Sequence, residues 1–463
     1  MDDGTADRVD GLALDEVVRF TSDLIRIDTT NRGGGDGRER PAAEYVAERL
    51  AEAGLEPVLL EKEPGRANVV ARLAGSDPGA AATLVHGHLD VVPAEPAEWS
   101  VHPFSGEVRD GVVWGRGAVD MKNADAMVLA LVRSWVRAGV RPRGDVVLAF
   151  TADEEDRALT GADFLVREHA GLFEGCTVGI GESGAYTFHG DGGLELYPVG
   201  AGERGTAWLK LTAHGTAGHG SKVNTDNAIV HLAAAVQRIA GHEWPVRLSP
   251  LVRSALRELA AAHGIDADPD APDFDVEFLL HKLGAAARLV AATVRNSANP
   301  TMLHAGYKVN VIPGTATAHV DGRIVPGAAE EFRDTLDRLT GPHVDWEYYQ
   351  KGEALQAPVD TAMFARMKAA IEHFAPEGRV VPFCMSGGTD ANQFSRLGIA
   401  GYGFNPLRLP AGFDYQAMFH GVDERVPVEA LHFGVRVLDR YFMDEPMDEH
   451  NERARREEDS SVN

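Results

Sequence analysis

The chain has 463 residues, of which 44% are apolar and 25% charged, with 50 Gly and 24 Pro. That is the composition of a globular protein of two or three domains, and it excludes collagen-like and low-complexity chains. Forty-five Lys and Arg against 70 Asp and Glu leave a net charge of −25. A field of that sign repels phosphate backbones and anionic lipid but not divalent cations, so neither nucleic acid nor a membrane surface is expected as a partner. The two cysteines, Cys176 and Cys384, exclude a disulfide scaffold and a Cys-rich zinc module, and fit a reducing compartment. The acidic start, MDDGTADRVDG, lacks the basic and apolar regions of a signal peptide, and no apolar run reaches the ~20 residues of a membrane helix. A cytoplasmic location is expected.

Apolar spacing predicts helices over 14–26 and 41–55, the second opening on Pro41. Short β-rich runs follow at 58–60, 68–73 and 82–85. A helix is expected over 121–137, with Ala124, Met127, Val128, Leu131 and Trp135 as its apolar stripe, and then a fully buried strand over 146–151. Strands alternating with helices specify an α/β domain with a largely parallel sheet. The pattern changes near residue 203. A strand at 208–214 and an amphipathic helix at 226–239 precede a helical stretch over 248–292, which is broken by the acidic loop 266–275. Strands are expected at 303–311 and 316–325, the second alternating apolar with polar residues. Residues 203–357 therefore read as an α+β domain inserted into an α/β domain made of 1–202 and 358–443. Residues 444–463 read as a disordered polar tail.

Imidazoles and carboxylates gather where the predicted strands end, the edge at which open α/β sheets build sites. LVHGHLDVVP ends a strand in His86, His88 and Asp90. A His with an Asp two residues on suits a ligand backed by a carboxylate, and equally a polar surface pair. Asp120 follows a Gly-rich turn (Gly115, Gly117) at a helix start, where an N-cap is the alternative. The strand at 146–151 runs into Asp153, Glu154 and Glu155, which repel one another unless cations, protons or solvent compensate. Glu182 ends another apolar run, and AMFHGVDERVP brings His420, Asp423 and Glu424. Together His88, Asp120, Glu155, Glu182 and His420 are the inventory for two divalent cations sharing one carboxylate, a donor set that suits zinc.

The motifs GHLDVVP (87–93), GRGAVDMK (115–122), ADEE (152–155), GHGS (218–221), NVIPG (310–314), SGGTDA (386–391) and HGVDER (420–425) occur in this order. With them, the chain from about residue 14 to 440 resembles the di-zinc metallohydrolases. That family includes glutamate carboxypeptidase, aminoacylase, yeast-type vacuolar carboxypeptidase and succinyl-diaminopimelate desuccinylase. The resemblance implies a zinc-exopeptidase-like catalytic domain with a mixed, largely parallel sheet flanked by helices. It further implies that 203–357 is a ferredoxin-like lid or dimerisation domain.

The same resemblance implies two Zn2+ ions, replaceable by Co2+ or Mn2+. Asp120 would bridge them, with His88 and Glu182 completing one site and Glu155 and His420 the other. Asp90 would support His88, Glu154 would be the catalytic base, and the Asp120–Met121 peptide bond would be cis. His219 would steady the transition state, in the partner subunit's site if the protein is a homodimer. Asn310, Arg323, Ser386, Gly387, Gly388 and Thr389 would hold the substrate's terminal carboxylate. The chain departs from the usual pattern at Asp156-Arg157, at the GESG turn around Glu182 and at Lys222-Val223, and none of these removes a ligand.

The implied reaction is hydrolysis of an amide or peptide bond in a small peptide or N-acyl amino acid, releasing an amino acid with a free carboxylate. A succinyl-diaminopimelate desuccinylase-type deacylase is the alternative. It would need cationic groups for several carboxylates, and few stand out beyond Arg323, Arg408 and Lys308. A non-catalytic metal or peptide binder on the same fold is the second alternative, and Glu154 beside a full ligand set argues against it.

Overall fold

A computed structural model describes residues 8–444, so all but the first residue of the expected polar tail lies outside the described residues. The chain divides into two compact units. One comprises Met1–Gly200, Pro358–Val381 and the chain from Gln393, the other Ala201–Ala357 with Pro382–Asn392.

The first unit is built on a mixed sheet with strand order Val58–Glu61, Ala67–Leu73, Val146–Thr151, Ala82–His88, Cys176–Gly181, Ala400–Gly403 and then Glu195–Glu203. Pairing is parallel only in the middle: Ala82–His88 runs parallel to Val146–Thr151 and to Cys176–Gly181, which in turn runs parallel to Ala400–Gly403. The flanking pairs are antiparallel. Val146–Thr151 is buried at every position, as a central strand covered on both faces must be. Because the central strands point the same way, the residues just beyond His88, Thr151 and Gly181 emerge along one edge of the sheet.

Helices Gly11–Arg26, Lys122–Ala138 and Val428–Met443 pack on one another and bury Phe20, Leu24, Met127, Leu131, Trp135 and Leu438. Each such large side chain contributes about 1.5–3 kcal/mol by leaving water. Asp10 caps the first helix by accepting from Ala13 N at 2.7 Å. Gly139, at φ +66°, ends the second.

The second unit contains a four-stranded antiparallel sheet ordered Ser297–Ala305, Thr315–Ile324, Gly205–His214, Val344–Lys351. Leu232 and Ile239 of helix Ala228–Ala240, with Phe332 and Leu336 of helix Ala329–Thr340, close its core over Leu209, Leu211 and Val320. Thr315–Ile324 alternates buried and half-buried positions, as its pattern predicts. The strand expected at 303–311 instead runs earlier, over Ser297–Ala305. Pro300 sits beside a bulge on this edge strand, where a missing N–H need not break a ladder. Val311–Ile312 pairs separately with Gly218–His219. Helices Pro250–Ala262 and Val276–Lys282 flank the acidic loop. Among the described residues no helix is long and apolar enough to cross a membrane.

Candidate metal centre

Three parallel strands deliver the site. Ala82–His88 ends in His88, Val146–Thr151 leads to Glu154 and Glu155, and Cys176–Gly181 leads to Glu182. Asp153, Ser183 and His420 have φ of +66°, +67° and +58°. Left-handed backbone costs a non-glycine residue about 1–2 kcal/mol, and its concentration here turns the chain so that neighbouring acids face inwards. Gly87 is required between the two histidines, because a Cβ there would lie 2.2 Å from Asp125 Oδ1 on the helix that follows Asp120.

Asp120 occupies the middle of the cluster. Its Oδ1 lies 3.1 Å from His88 Nε2 and its Oδ2 3.4 Å from His420 Nε2. Glu182 Oε2 and Glu154 Oε2 lie 3.9 and 4.0 Å from His88 Nε2, and Glu155 Oε2 lies 3.1 Å from His420 Nε2. His88, Asp120 and Glu155 offer ligand atoms within 4.8 Å of one another, and so do His88, Glu154 and Glu182. The structure thus brings together all five residues singled out as ligands, with Glu154 among them. The Asp120–Met121 peptide bond is cis. His88 is buried, whereas the His420 side chain is 58% exposed and marks the open side.

The electrostatics show what this cluster is suited to hold. Burial disfavours a charged His88, yet Asp120, Glu182 and Glu154 outweigh it and hold the imidazole well above its ordinary value. Hydrogen bonds to Asp120 and Glu155 raise His420 to about 10. Asp120, although buried, is drawn below the usual carboxylate range by the two imidazoles. Burial and then Asp120 push Glu155 up, and its Oε1 is buried with no hydrogen-bond partner. The carboxylates recruit protons onto both histidines, which is the demand a divalent cation meets. The N/O donor set and the orphaned Glu155 oxygen fit such an ion.

Main-chain and side-chain contacts outside the cluster fix its geometry. His88 Nδ1 donates to the Asp90 carbonyl at 3.0 Å, with the Asp90 carboxylate 3.6 Å away, which leaves Nε2 for the cluster. The brace on His88 is therefore mainly the Asp90 backbone. The Asp90 carboxylate accepts from Asn31 Nδ2 (2.9 Å), Glu155 N (3.1 Å) and Glu154 N (3.2 Å), and so sets the acidic turn.

Sequence reasoning missed Asn31 and the buried network in which Arg66 pairs with Glu39 (2.7 Å, twice) and with Asp153 Oδ1 (2.9 Å). It also assigned no role to Glu424. That carboxylate accepts from Val119 N (2.7 Å) and Asp120 N (3.0 Å) and pairs with Arg116 (2.7 Å), while burial raises it to about 7. Its position four residues after His420 was the available signal.

Every residue expected to touch substrate lies in the second unit. Gly218–His219 pairs with Val311–Ile312, and Gly220 N donates to Asn310 O at 2.9 Å, so His219 and Asn310 are neighbours. His219 Nδ1 accepts from Ser221 N at 3.2 Å, which assigns the ring proton to Nε2 on an exposed imidazole. Arg323 is half-buried, and Asp321 occupies its Nε and Nη2 at 2.7 and 3.1 Å. Its Nη1 lies 3.4 Å from Thr206 Oγ1. Ser386 and Gly388 are exposed, whereas Thr389 gives both its N–H and its hydroxyl to Glu203.

A family described as peptidase family M20/M25/M40 matches residues 84–444. The N-fatty-acyl-amino acid synthase/hydrolase PM20D1 of Xenopus tropicalis is 26% identical over 449 residues, covering 90% of this chain and 83% of its own. Aminoacylase-1 of Sus scrofa is 26% identical over 404 residues, covering 83% and 85%. An M20 family metallo-carboxypeptidase from Sulfolobus solfataricus shares the fold, with a TM-score of 0.68 at 18% identity over 92% of this chain and 98% of that one. The dipeptidase Dug1p of Saccharomyces cerevisiae shares it with a TM-score of 0.66 at 17% identity, over 93% and 96%. With the family matched across most of its length and a cation-demanding His/Asp/Glu cluster at the sheet edge, the chain belongs to peptidase family M20/M25/M40 and is a metal-dependent hydrolase.

Proposed function

We propose that the protein hydrolyses the amide bond of an N-acyl amino acid or small peptide and releases an amino acid with a free α-carboxylate. The observation that carries this reading is the Asp120 carboxylate, whose two oxygens each face a different imidazole. That arrangement supports a two-ion centre in which Asp120 is shared, with His88 and Glu182 on one side and Glu155 and His420 on the other. Zinc is the native ion in this reading, with Co2+ or Mn2+ as substitutes. When bound, such ions supply Lewis acidity, polarising a carbonyl and acidifying a water.

The chain's own groups do the rest. Glu154, with 15% of its side chain exposed, takes the proton of the attacking water and returns it to the leaving amine. His219 donates its Nε2–H to the carbonyl oxygen as negative charge develops, a role worth ~10²–10³ in rate. Asn310, Arg323 and the Ser386–Gly387–Gly388 turn receive the α-carboxylate, with Thr389, whose two donors go to Glu203, anchoring that turn and Asp321 fixing the plane of the Arg323 fork. Relatives named for N-fatty-acyl amino acids and aminoacylase activity support an amino acid on the amine side.

The test is a rate comparison on acetyl and long-chain N-acyl amino acids, dipeptides and succinyl-diaminopimelate, each N-acyl amino acid and dipeptide paired with its C-terminal amide. N-Acyl amino acids or dipeptides should be cleaved far faster than their amides, and Arg323→Ala should narrow that gap. Equal rates on acid and amide in the unaltered enzyme would overturn the reading, and a preference for succinyl-diaminopimelate would replace it with desuccinylation.

The second unit is proposed to pair two copies of the chain. Edge strand Ser297–Ala305 exposes Met302 (51%) and Leu303 (56%), and helix Ala228–Ala240 exposes Ile229 and Val230, an apolar edge suited to strand addition. The buried free thiols Cys176 and Cys384 support a cytoplasmic setting.

A further inference from the structure

The Ser386–Gly387–Gly388 turn hangs from two consecutive residues. Arg204 N donates to the Met385 carbonyl at 3.0 Å, just before the turn. Just after it, the Glu203 carboxylate accepts from Thr389 N at 3.2 Å and, in a shorter bond, from the Thr389 hydroxyl. Thr389 Oγ1 in turn accepts from Ala391 N at 3.1 Å. The turn lies close over the acid, since a Cβ on Gly388 would stand 3.8 Å from Glu203 Oε2.

Glu203 is 7% exposed; burial raises its carboxyl to about 7, and the hydrogen bonds from Thr389, rather than a cation, are what oppose that rise. A buried carboxylate without a cation is a costly way to stabilise a glycine turn. What it secures is the conformation of that turn. Among the described residues the Gly387 and Gly388 N–H groups have no hydrogen-bond acceptor, and Gly388 is exposed. Successive unpaired N–H groups in a turn make a concave site for an anion.

We propose that Glu203 is a positioning residue for substrate binding: by gripping Thr389 through both N–H and hydroxyl, it holds the turn in the shape in which the Gly387 and Gly388 N–H groups receive the substrate's carboxylate. This rests on the proposed function, in which the turn meets the substrate. Glu203 acts through Thr389 and touches no reacting atom.

Glu203→Gln keeps the size of the side chain but turns one acceptor into a donor facing Thr389. KM for an N-acyl amino acid should rise roughly tenfold, the worth of one lost hydrogen bond, with kcat within about twofold. KM for the matching C-terminal amide should stay unchanged. Thr389→Val removes only the hydroxyl bond, should raise the same KM, and combined with Glu203→Gln should add little more. An unchanged KM for the acid in both variants, or equal losses on acid and amide, overturns the proposal. If that happens while Arg323→Ala still separates acid from amide, the proposal fails and the substrate reading stands. If the unaltered enzyme itself does not separate acid from amide, both fail.

Discussion

Removing the Asp90 carboxylate probes how the acidic turn is held. Asp90 is fully buried and its carboxylate receives three donors: Asn31 Nδ2, Glu154 N and Glu155 N. In Asp90→Ala, Asn31 Nδ2 keeps its 3.3 Å contact to Asp153, so two main-chain donors bear most of the loss. At ~1–3 kcal/mol for each buried donor deprived of its acceptor, the metal-free protein should lose about 2–6 kcal/mol. The damage should be uneven across the site. His88 keeps its main-chain brace, because its Nδ1 binds the residue-90 carbonyl rather than the carboxylate, whereas Glu154 and Glu155 lose what sets their turn. Urea unfolding of the metal-free variant, with zinc titration by calorimetry, reads both effects. One binding step should weaken by roughly 10–100-fold while the other is retained. A stability loss below about 1 kcal/mol, or equal weakening of both steps, would refute this account of Asp90.

Glu154→Gln should keep its metal and lose ~10²–10⁴ in kcat, whereas Glu155→Gln should lose metal at one step; metal loss in Glu154→Gln with retention in Glu155→Gln would show the two roles exchanged, and equal loss in both would contradict the assignment. Carboxylates raise the pKa of His88 and of His420, the latter to about 10, in the metal-free protein, so both imidazoles are charged near neutral pH. Ligation requires them neutral, so metal affinity should rise with pH, and uptake at neutral pH should release protons, as calorimetry in buffers of different ionisation enthalpy can count. Uptake without proton release would contradict the assigned histidines. If paired copies exchange His219, mixing inactive His219→Ala with inactive Glu154→Gln should restore up to about a quarter of the activity once subunits have exchanged. No recovery after proven exchange would place His219 within its own subunit's reaction.

Much of the site was legible because the chemistry lies where apolar strands stop. The run VVLAFT marks a strand buried on both faces, and the polar residues after it must leave the sheet at its edge, which puts Glu154 and Glu155 there. The strand carrying His88 obeys the same logic, although it extends through His86-Gly87-His88 past the apolar stretch that announced it. The contacts that hold these residues were not legible. Arg66 meets Glu39 across 27 residues and Asp153 across 87, and Asn31 meets Asp90 across 59. Such pairings arise only once distant loops share a buried volume, and no local spacing encodes them. The misplaced strand near residue 303 has a different cause: Pro300 hides an edge strand from a pattern that treats proline as a break. Arg323 was visible as a cation, but Asp321 two residues earlier lies on the same strand face and takes half its fork.

The central claim is that one carboxylate, Asp120, is shared by two ions. Anomalous scattering from zinc-grown crystals, measured on both sides of the zinc absorption edge, tests it most directly. The account requires two peaks flanking the Asp120 carboxylate, one against His88 and Glu182 and the other against Glu155 and His420. A single peak at full zinc occupancy, or two peaks of which either lacks Asp120 as a ligand, would contradict it.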